Sequence, residues 1–286
     1  MRRVMIAAVC LVVGLSALVV GTEGFATGAS TKSPVTVPSR SSAQDGVLIR
    51  KNAHAALPVH GGTVTSLNWA GYAVVQGGIT AVSSTFIVPA AGLLPPGFTA
   101  TWTGIGGYAS TDLIQAGVAE QSLPGLPLLG DQYYAWYELL PGAEVQLTGC
   151  RGDANCTVTP GDAVRVNITQ VPHSNLWSIV MYDANRRWTW DNHYFTYKST
   201  NSSAEWILEA PSVSGLQTLV APVGTTHFGP TSTYTVAGVT HTVAQGNPTP
   251  IVLSPGLVNE AAPSALGANG QSFNVCTYDV QTCATP

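Results

Sequence analysis

Short runs rich in β-branched and aromatic residues follow one another closely from residue 68 to the end of the chain. Gly, Pro and Asn separate them, and no sustained helical periodicity intervenes. Strands are predicted at 68–75, 81–89, 100–105, 112–118, 132–139, 163–169, 177–182, 204–208, 218–222 and 272–278. Many short strands bounded by turn residues are typical of an antiparallel sandwich. We therefore predict an all-β fold in which two large antiparallel sheets pack face to face.

The first 60 residues differ in composition from the rest of the chain. Arg2 and Arg3 precede an apolar run at 4–20, and small residues follow at Ala26 and Ala29. This order is typical of a signal peptide, which we assign to residues 1–29, and it predicts a secreted protein with no membrane contact after signal removal. A membrane anchor is the alternative, because the run approaches the ~18–20 residues that a spanning helix needs.

Residues 30–60 are dominated by Ser, Thr, Pro and Ala, and six of the eleven Lys and Arg of the chain lie before residue 52. We interpret this stretch as a pro-segment or linker that precedes a domain at 61–286, although a disordered tail has the same composition. From residue 61 onward there are five Lys and Arg against thirteen Asp and Glu. An acidic domain of this kind argues against nucleic acid as a partner. Since few cations remain to repel one another once the carboxylates are protonated, it also predicts tolerance of acid.

The cysteines indicate local disulfides rather than a metal site. Cys10 lies in the apolar run, and the other four fall into two close pairs: Cys150 with Cys156, and Cys276 with Cys283. In an exported chain this spacing favours two disulfides that close short loops, with other pairings left open. The six histidines are scattered without ligand spacing, so we predict no metal.

Side chains alternate between the two faces of a strand, and this places three polar groups on definable faces. Glu138 shares a face with Tyr134 and Trp136, Gln115 lies opposite an apolar face, and Glu205 lies opposite Trp206. In one groove, a carboxyl group could exchange a proton with water while a neutral amide stabilised an oxyanion. Solvated residues on an outer face would give the same pattern. The residues alone therefore predict a secreted β-sandwich with a candidate carboxyl site.

Six ordered blocks resemble the glutamic peptidases, also called eqolisins or peptidase family G1. They are NWAG at 68–71, STFIVP at 84–89, WTGIGG at 102–107, LIQAGV at 113–118, AWYE at 135–138 and AEWILE at 204–209. Residues 263–266 and 270–275 are similar to the closing segment of the family. The resemblance implies a sandwich of two long antiparallel sheets, an N-terminal pro-segment and an acid-acting endopeptidase.

The resemblance also implies roles for particular residues. Gln115 and Glu205 match the catalytic pair, in which the carboxyl group activates water and later protonates the leaving amine, and the amide stabilises the tetrahedral oxyanion. Four further residues match positions that line the cleft of the family: Trp69, Trp102, Trp136 and Glu138. No cofactor or metal is implied. A protein or peptide is the expected substrate, and we expect a monomer.

Two positions depart from the family pattern, which has an acid after its W-x-G-I block and another before A-W-Y-E. This chain has Gly106 and Tyr134 there. With fewer neighbouring carboxylates, the pKa of Glu205 is expected to be raised less, and the pH optimum is expected to differ accordingly.

Two other functions use the same residues differently. A glycoside hydrolase on a similar sandwich would use Glu138 and Glu205 as its acid and nucleophile, and Gln115 would be dispensable. A non-catalytic carbohydrate-binding module would stack its tryptophans on sugars.

Overall fold

The computed structural model describes residues 62–92, 95–122, 132–213 and 215–286. The predicted signal peptide (1–29) and pro-segment (30–60) lie outside these ranges, and both stay predictions. Within the described ranges, no helix has the length and apolarity needed to span a membrane. Helical structure there is confined to two short 3-10 helices at Val243–Gly246 and Val280–Thr282.

The strands in the described ranges are numbered in chain order. They are β1 (Val64–Ser66), β2 (Trp69–Val75), β3 (Ile79–Ile87), β4 (Gly97–Gly106), β5 (Leu113–Ser122), β6 (Gln132–Leu139), β7 (Val145–Gln146), β8 (Ala163–Gln170), β9 (Leu176–Asp183), β10 (Trp188–Thr196), β11 (Ser203–Glu209), β12 (Ser212–Val213), β13 (Leu216–Gln217), β14 (Thr225–Phe228), β15 (Thr233–Val236), β16 (Val239–Thr242), β17 (Thr249–Leu253), β18 (Ala261–Pro263) and β19 (Phe273–Thr277).

Strand pairing produces two layers, as predicted. The front sheet has the order β1-β17-β2-β11-β4-β5-β6-β7, antiparallel except for the parallel pair β1–β17. The back sheet has the order β18-β19-β14-β3-β8-β9-β10, and the β15–β16 hairpin also pairs with β3. The two sheets are continuous at one corner, where Leu253 of β17 pairs with Ala261 of β18.

The main core lies between the sheets and is built from alternate residues of each strand. Trp206 and Leu208 of β11 and Ile114 of β5 are buried there against Phe86 of β3 and Val166 of β8. Trp206 also donates a hydrogen bond from Nε1 to the carbonyl oxygen of Ser83, 2.9 Å away in the back sheet. Trp206 is thus a core residue, on the face opposite Glu205 as strand alternation indicates. Glu205 therefore lies on the opposite, outer face of the front sheet.

The strand predicted at 218–222 is wrong, because that segment has no strand in the structure. The amide and hydroxyl of Thr218 both bond to the carbonyl of Pro211, and the amide of Ala221 bonds to the Thr99 hydroxyl at 2.9 Å. Pro222 has no amide hydrogen to donate to the hydrogen-bond ladder between two strands. The polar backbone groups of this segment are thus largely satisfied by loop and side-chain partners.

Disulfides join Cys150 to Cys156 and Cys276 to Cys283, in agreement with the local pairing favoured by the sequence. The first closes the loop before β8, and the second holds the chain just after β19. Among the described residues, no group of three or more His, Cys, Asp or Glu could hold a metal ion.

Candidate active site

The candidate site lies on the outer face of the front sheet, where strand register places five residues side by side. Across β2, β11, β4, β5 and β6 they are Ala73, Glu205, Gly104, Gln115 and Glu138. Adjacent strands are about 4.8 Å apart, so the Cα atoms of Glu205 and Gln115 are separated by roughly 10 Å, with only Gly104 between them. The structure thus brings together the three polar groups predicted from sequence, with a residue lacking a side chain at the centre.

Gly104 has little space for any side chain. A Cβ atom there would lie 3.0 Å from the Ile114 carbonyl oxygen, from Cδ1 of Leu113 and from Cζ3 of Trp102. Only glycine at this position keeps side-chain atoms out of the gap, by which we mean the space between the Glu205 carboxyl and the Gln115 amide.

Gln115 is oriented by its neighbour on β6. Its Nε2 atom donates a hydrogen bond of 2.6 Å to Oε2 of Glu138, and both side chains are buried. Its Oε1 atom has no hydrogen-bond partner among the described residues. A primary amide carries two N–H donors, so the bond to Glu138 fixes the amide and leaves one donor and the carbonyl oxygen for other groups.

Glu205 is fully buried, and neither of its carboxyl oxygens has a hydrogen-bond partner among the described residues. Burial raises the pKa of Glu205 well above its ordinary value. The Ser203 hydroxyl opposes this shift, although it makes no well-formed hydrogen bond, and the negative charge of Asp112 adds to the shift. The carboxyl group consequently retains its proton to higher pH than a solvated glutamate does, as suits a group that must both accept and return a proton.

Burial is thus the main cause of the raised pKa of Glu205, whereas the sequence pattern indicated only an effect of neighbouring carboxylates. One carboxylate does lie beside the position of Gly106, because a Cβ atom there would be 3.2 Å from Oδ2 of Asp112. Tyr134, at the other departure from the family pattern, donates a hydrogen bond to Glu144. The pH optimum of this chain stays a prediction.

Aromatic side chains lie beside Gln115 and Glu205 on the same face. In the neighbouring row of the sheet, Gly117 is flanked by Trp102 on β4 and Trp136 on β6. Trp69 on β2 packs edge to face against Trp102, with ring centroids 4.9 Å apart. All three indoles are buried in a second, smaller apolar cluster that also contains Ile207. The residues that match the cleft of the family are therefore assembled around Gln115 and Glu205.

Glu209 has a contact that the sequence analysis did not predict. Its Oε2 atom accepts a 2.7 Å hydrogen bond from Nε1 of Trp102, and its Oε1 atom lies 3.5 Å from Nδ2 of Asn68. Sequence alternation places Glu209 on the face of Glu205, but its partner is 107 residues away along the chain. It fixes the ring that borders the gap at Gly104.

The fold is a β-sandwich in which a neutral amide and a buried carboxyl lie on either side of a glycine in one row of the front sheet. The chain belongs to the Peptidase A4 family, whose sequence model matches residues 67–258. This confirms the family predicted from the six sequence blocks, and the protein is a peptide hydrolase. The family assignment does not support the glycoside hydrolase or the carbohydrate-binding module.

Solved structures are similar to this chain in fold. Scytalido-glutamic peptidase with a transition state analog inhibitor matches with a TM-score of 0.61 and 18% sequence identity. The same peptidase with a peptide based transition state analog matches with a TM-score of 0.58 and 17% sequence identity. SCP-B, a member of the eqolisin family in a complex with the tripeptide Ala-Ile-His, matches with a TM-score of 0.55 and 17% sequence identity. Each match covers 73% of this chain and 98% of the other. None of the curated proteins compared matches the chain.

We expect Gly104→Val to reduce kcat for peptide hydrolysis by about 100-fold, because a branched side chain would enter the gap and displace Trp102 and Leu113. The measurement is cleavage of a denatured protein, accompanied by thermal melting. Gly77→Val is the matched control, since a Cβ atom at Gly77 meets nothing within 4 Å. Wild-type kcat in a folded Gly104→Val variant would contradict the assigned role of the gap.

The raised pKa of Glu205 also predicts how stability depends on pH. Above the ordinary glutamate pKa the unfolded chain releases a proton that the folded chain retains, so this group lowers the free energy of unfolding as pH rises. Glu205→Gln should therefore be more stable than wild type near pH 7, by about 1.4 kcal/mol for each pH unit over which the folded state keeps the proton. The difference should vanish near about pH 3, where both states are protonated.

Urea unfolding at several pH values measures this difference. Asp153→Asn is the control of opposite sign, because hydrogen bonds from Thr157 and Asn155 lower the pKa of that carboxyl. Equal stability of wild type and Glu205→Gln at every pH would show that the carboxyl is not perturbed.

Proposed function

We propose that the protein is a secreted endopeptidase that acts in the acid range and uses Gln115 and Glu205 as its catalytic dyad. One observation carries the proposal: a buried carboxyl group and a buried amide, each with unpartnered oxygen atoms, flank a glycine in one row of the front sheet. Membership of a peptidase family gives the reaction class. The two disulfides are consistent with export.

The proposed reaction moves one proton through Glu205. The carboxylate takes a proton from water as the water oxygen bonds to the scissile carbonyl carbon, and the carbonyl electron pair moves onto oxygen. The free N–H of Gln115 donates to this oxyanion, and Glu138 holds the amide in place. Glu205 then gives its proton to the amide nitrogen, the oxyanion electron pair re-forms the carbonyl as the C–N bond breaks, and a carboxylic acid and an amine leave.

The surrounding side chains support a peptide substrate with apolar residues next to the scissile bond. Apolar ring surface beside the dyad is provided by Trp69, Trp102 and Trp136. Among the described residues, no Lys or Arg forms an ion pair with Glu205. The peptide ligands of the solved eqolisins support the same class of ligand here. We propose a monomer that needs neither nucleic acid nor membrane.

The pH range follows from the same carboxyl group. Glu205 must be ionised to accept a proton from water, and burial raises its pKa. Activity is therefore expected to fall at the acidic end as this carboxyl becomes protonated, and this fall should begin at a higher pH than a solvated glutamate would give. The small number of cations in 61–286 is consistent with a fold that tolerates this acidity.

Two substitutions test the dyad against matched controls. Gln115→Ala and Glu205→Gln should each lower kcat/KM on a denatured protein by at least about 100-fold, because each removes a group that acts in the transition state. Gln271→Ala and Glu260→Gln should retain activity. Glu260 is a suitable control because it is also buried, with a pKa raised by burial, but lies next to β18.

Proteolysis at the wild-type rate by Glu205→Gln would exclude the dyad. Glu138→Gln should lose less activity than Gln115→Ala, since Glu138 only orients the amide. Glycan hydrolysis that survives Gln115→Ala and is lost in Glu138→Gln would instead indicate a glycoside hydrolase.

We further propose that residues 30–60 form an inhibitory pro-segment. The composition supports this, because the stretch contains Lys32, Arg40, Arg50 and Lys51 and precedes an acidic domain in the sequence. The dyad side chains themselves are buried. An extended peptide has to reach those side chains, so this face must become accessible. Acid would weaken attraction between the basic segment and the domain by protonating carboxylates.

The full-length chain should be nearly inactive at neutral pH and gain activity after acid incubation, together with cleavage between residues 30 and 62. Peptide assays and N-terminal sequencing measure both changes. Full activity of the uncleaved chain at neutral pH would contradict the proposal.

A further inference from the structure

The dyad strands are tied together at one end by a side chain outside the dyad. Asp112 lies directly before β5, three residues ahead of Gln115. Its Oδ2 atom accepts hydrogen bonds from the Thr200 amide at 2.7 Å and from the Ser199 hydroxyl at 3.1 Å, and its Oδ1 atom accepts one from the Thr200 hydroxyl at 3.0 Å. Ser199 and Thr200 belong to the connector between β10 and β11, which leads directly to Glu205.

The carboxylate of Asp112 lies against the end of β4, the strand between β5 and β11. Gly106 ends β4 with a φ of +93°, in the region that favours glycine. A Cβ atom at Gly106 would lie 2.4 Å from the Asp112 carbonyl oxygen and 3.2 Å from its Oδ2 atom. Glycine at 106 therefore leaves the space in which Asp112 reaches the connector.

Other contacts hold the connector itself in place. The Tyr197 hydroxyl accepts a hydrogen bond from the Leu113 amide at 2.7 Å and donates one to the Leu140 carbonyl at 2.8 Å. The Asn201 side chain donates to the carbonyl of Ile79 in the back sheet at 2.7 Å. The connector is thus fixed to β5, to the end of β6 and to the back sheet, so it is a firm anchor for Asp112.

We propose that Asp112 is a positioning residue for the dyad: its carboxylate fixes the starts of β5 and β11 relative to each other, and its negative charge acts on the Glu205 carboxyl. The proposal rests on the proposed dyad. It assigns Asp112 no contact with substrate.

The charge of Asp112 is maintained in acid by its hydrogen bonds. Burial alone would raise the pKa of Asp112, but hydrogen bonds from Thr200, Ser110 and Ser199 outweigh this and lower it. Asp112 therefore stays ionised as the solution becomes acidic, and its charge contributes to the raised pKa of Glu205.

Other charged groups near Glu205 do not replace this effect. The carboxyl groups on the same face are those of Glu138 and Glu209, which bond to Gln115 and Trp102 respectively. Lys198 on the connector is exposed. Neutralising Asp112 should consequently make Glu205 ionise at lower pH.

Asp112→Asn, expressed as the full chain and activated by acid incubation in the same way as wild type, tests both parts of the proposal. A carbon-13 NMR titration of the glutamate carboxyls, with Glu205→Gln used to assign the signal, should show the Glu205 midpoint at lower pH than in wild type. The acidic limb of kcat/KM should move in the same direction. At the optimum, kcat should fall by up to about 100-fold because the reacting groups are displaced, while KM changes little because the tryptophans are untouched.

Asp153→Asn is the matched control. Asp153 also has a lowered pKa and accepts hydrogen bonds from backbone amides, but it lies within the Cys150–Cys156 loop. This variant should leave the Glu205 midpoint and kcat unchanged. Thr200→Val is a milder second variant, which removes the hydroxyl bonds and keeps the charge. The reduction of kcat in this variant should be small near neutral pH and should grow in acid, where Asp112 becomes easier to protonate.

An unchanged Glu205 midpoint together with unchanged kcat in Asp112→Asn would overturn the proposal. If Asp112→Asn does not fold, Thr200→Val decides. A loss of kcat that grows in acid supports the proposal, and a pH profile of kcat/KM identical to that of wild type overturns it. If acid-activated wild type cleaves no peptide, the proposed function fails by that result alone. The NMR midpoints of wild type and Asp112→Asn still decide whether Asp112 acts on Glu205.

Discussion

The register of three neighbouring strands is the constraint on which the site depends. Pairing of β11 with β4 and of β4 with β5 places Glu205, Gly104 and Gln115 in one row. Side chains alternate with a period of two, so a slip of one residue would turn Glu205 into the intersheet core and bring Trp206 to the outer face. The large buried indole of Trp206, with its hydrogen bond to the back sheet, makes that slip costly.

The site keeps polar groups in an environment that does not satisfy them. Both carboxyl oxygens of Glu205 and the amide oxygen of Gln115 are buried without a described hydrogen-bond partner. Such groups reduce the stability of a fold. Some surrounding side chains use their polar atoms on one another, as in the pairs Gln115–Glu138 and Trp102–Glu209. The atoms on this face that lack a described partner include the Glu205 and Gln115 oxygens, which a water molecule and a peptide carbonyl could engage, and Nε1 of Trp69. If these atoms form the proposed reaction site, the arrangement trades stability for function.

Several parts of this site could be predicted from local sequence. Alternation placed Tyr134, Trp136 and Glu138 on one face and Trp206 on the face opposite Glu205, because strand geometry depends only on position along the strand. The Thr-rich strands between residues 225 and 253 were not predicted, since polar β-branched segments resemble loops in composition. The connector that carries Ser199 and Thr200 was not recognised either, because its partner Asp112 lies 88 residues away.

The sequence by itself determined the all-β class, the face of each strand and the six blocks that identify the family, and it favoured the two local disulfides. Each of these depends on residues close together in the chain or on a pattern of residue types. The tertiary structure decided which strands are neighbours, and hence that Gly104 separates Glu205 from Gln115, that Glu209 holds Trp102 and that Asp112 ties β5 to β11. Such relations join residues that are distant in sequence. They are fixed only when backbone pairing and burial act together across the whole sheet.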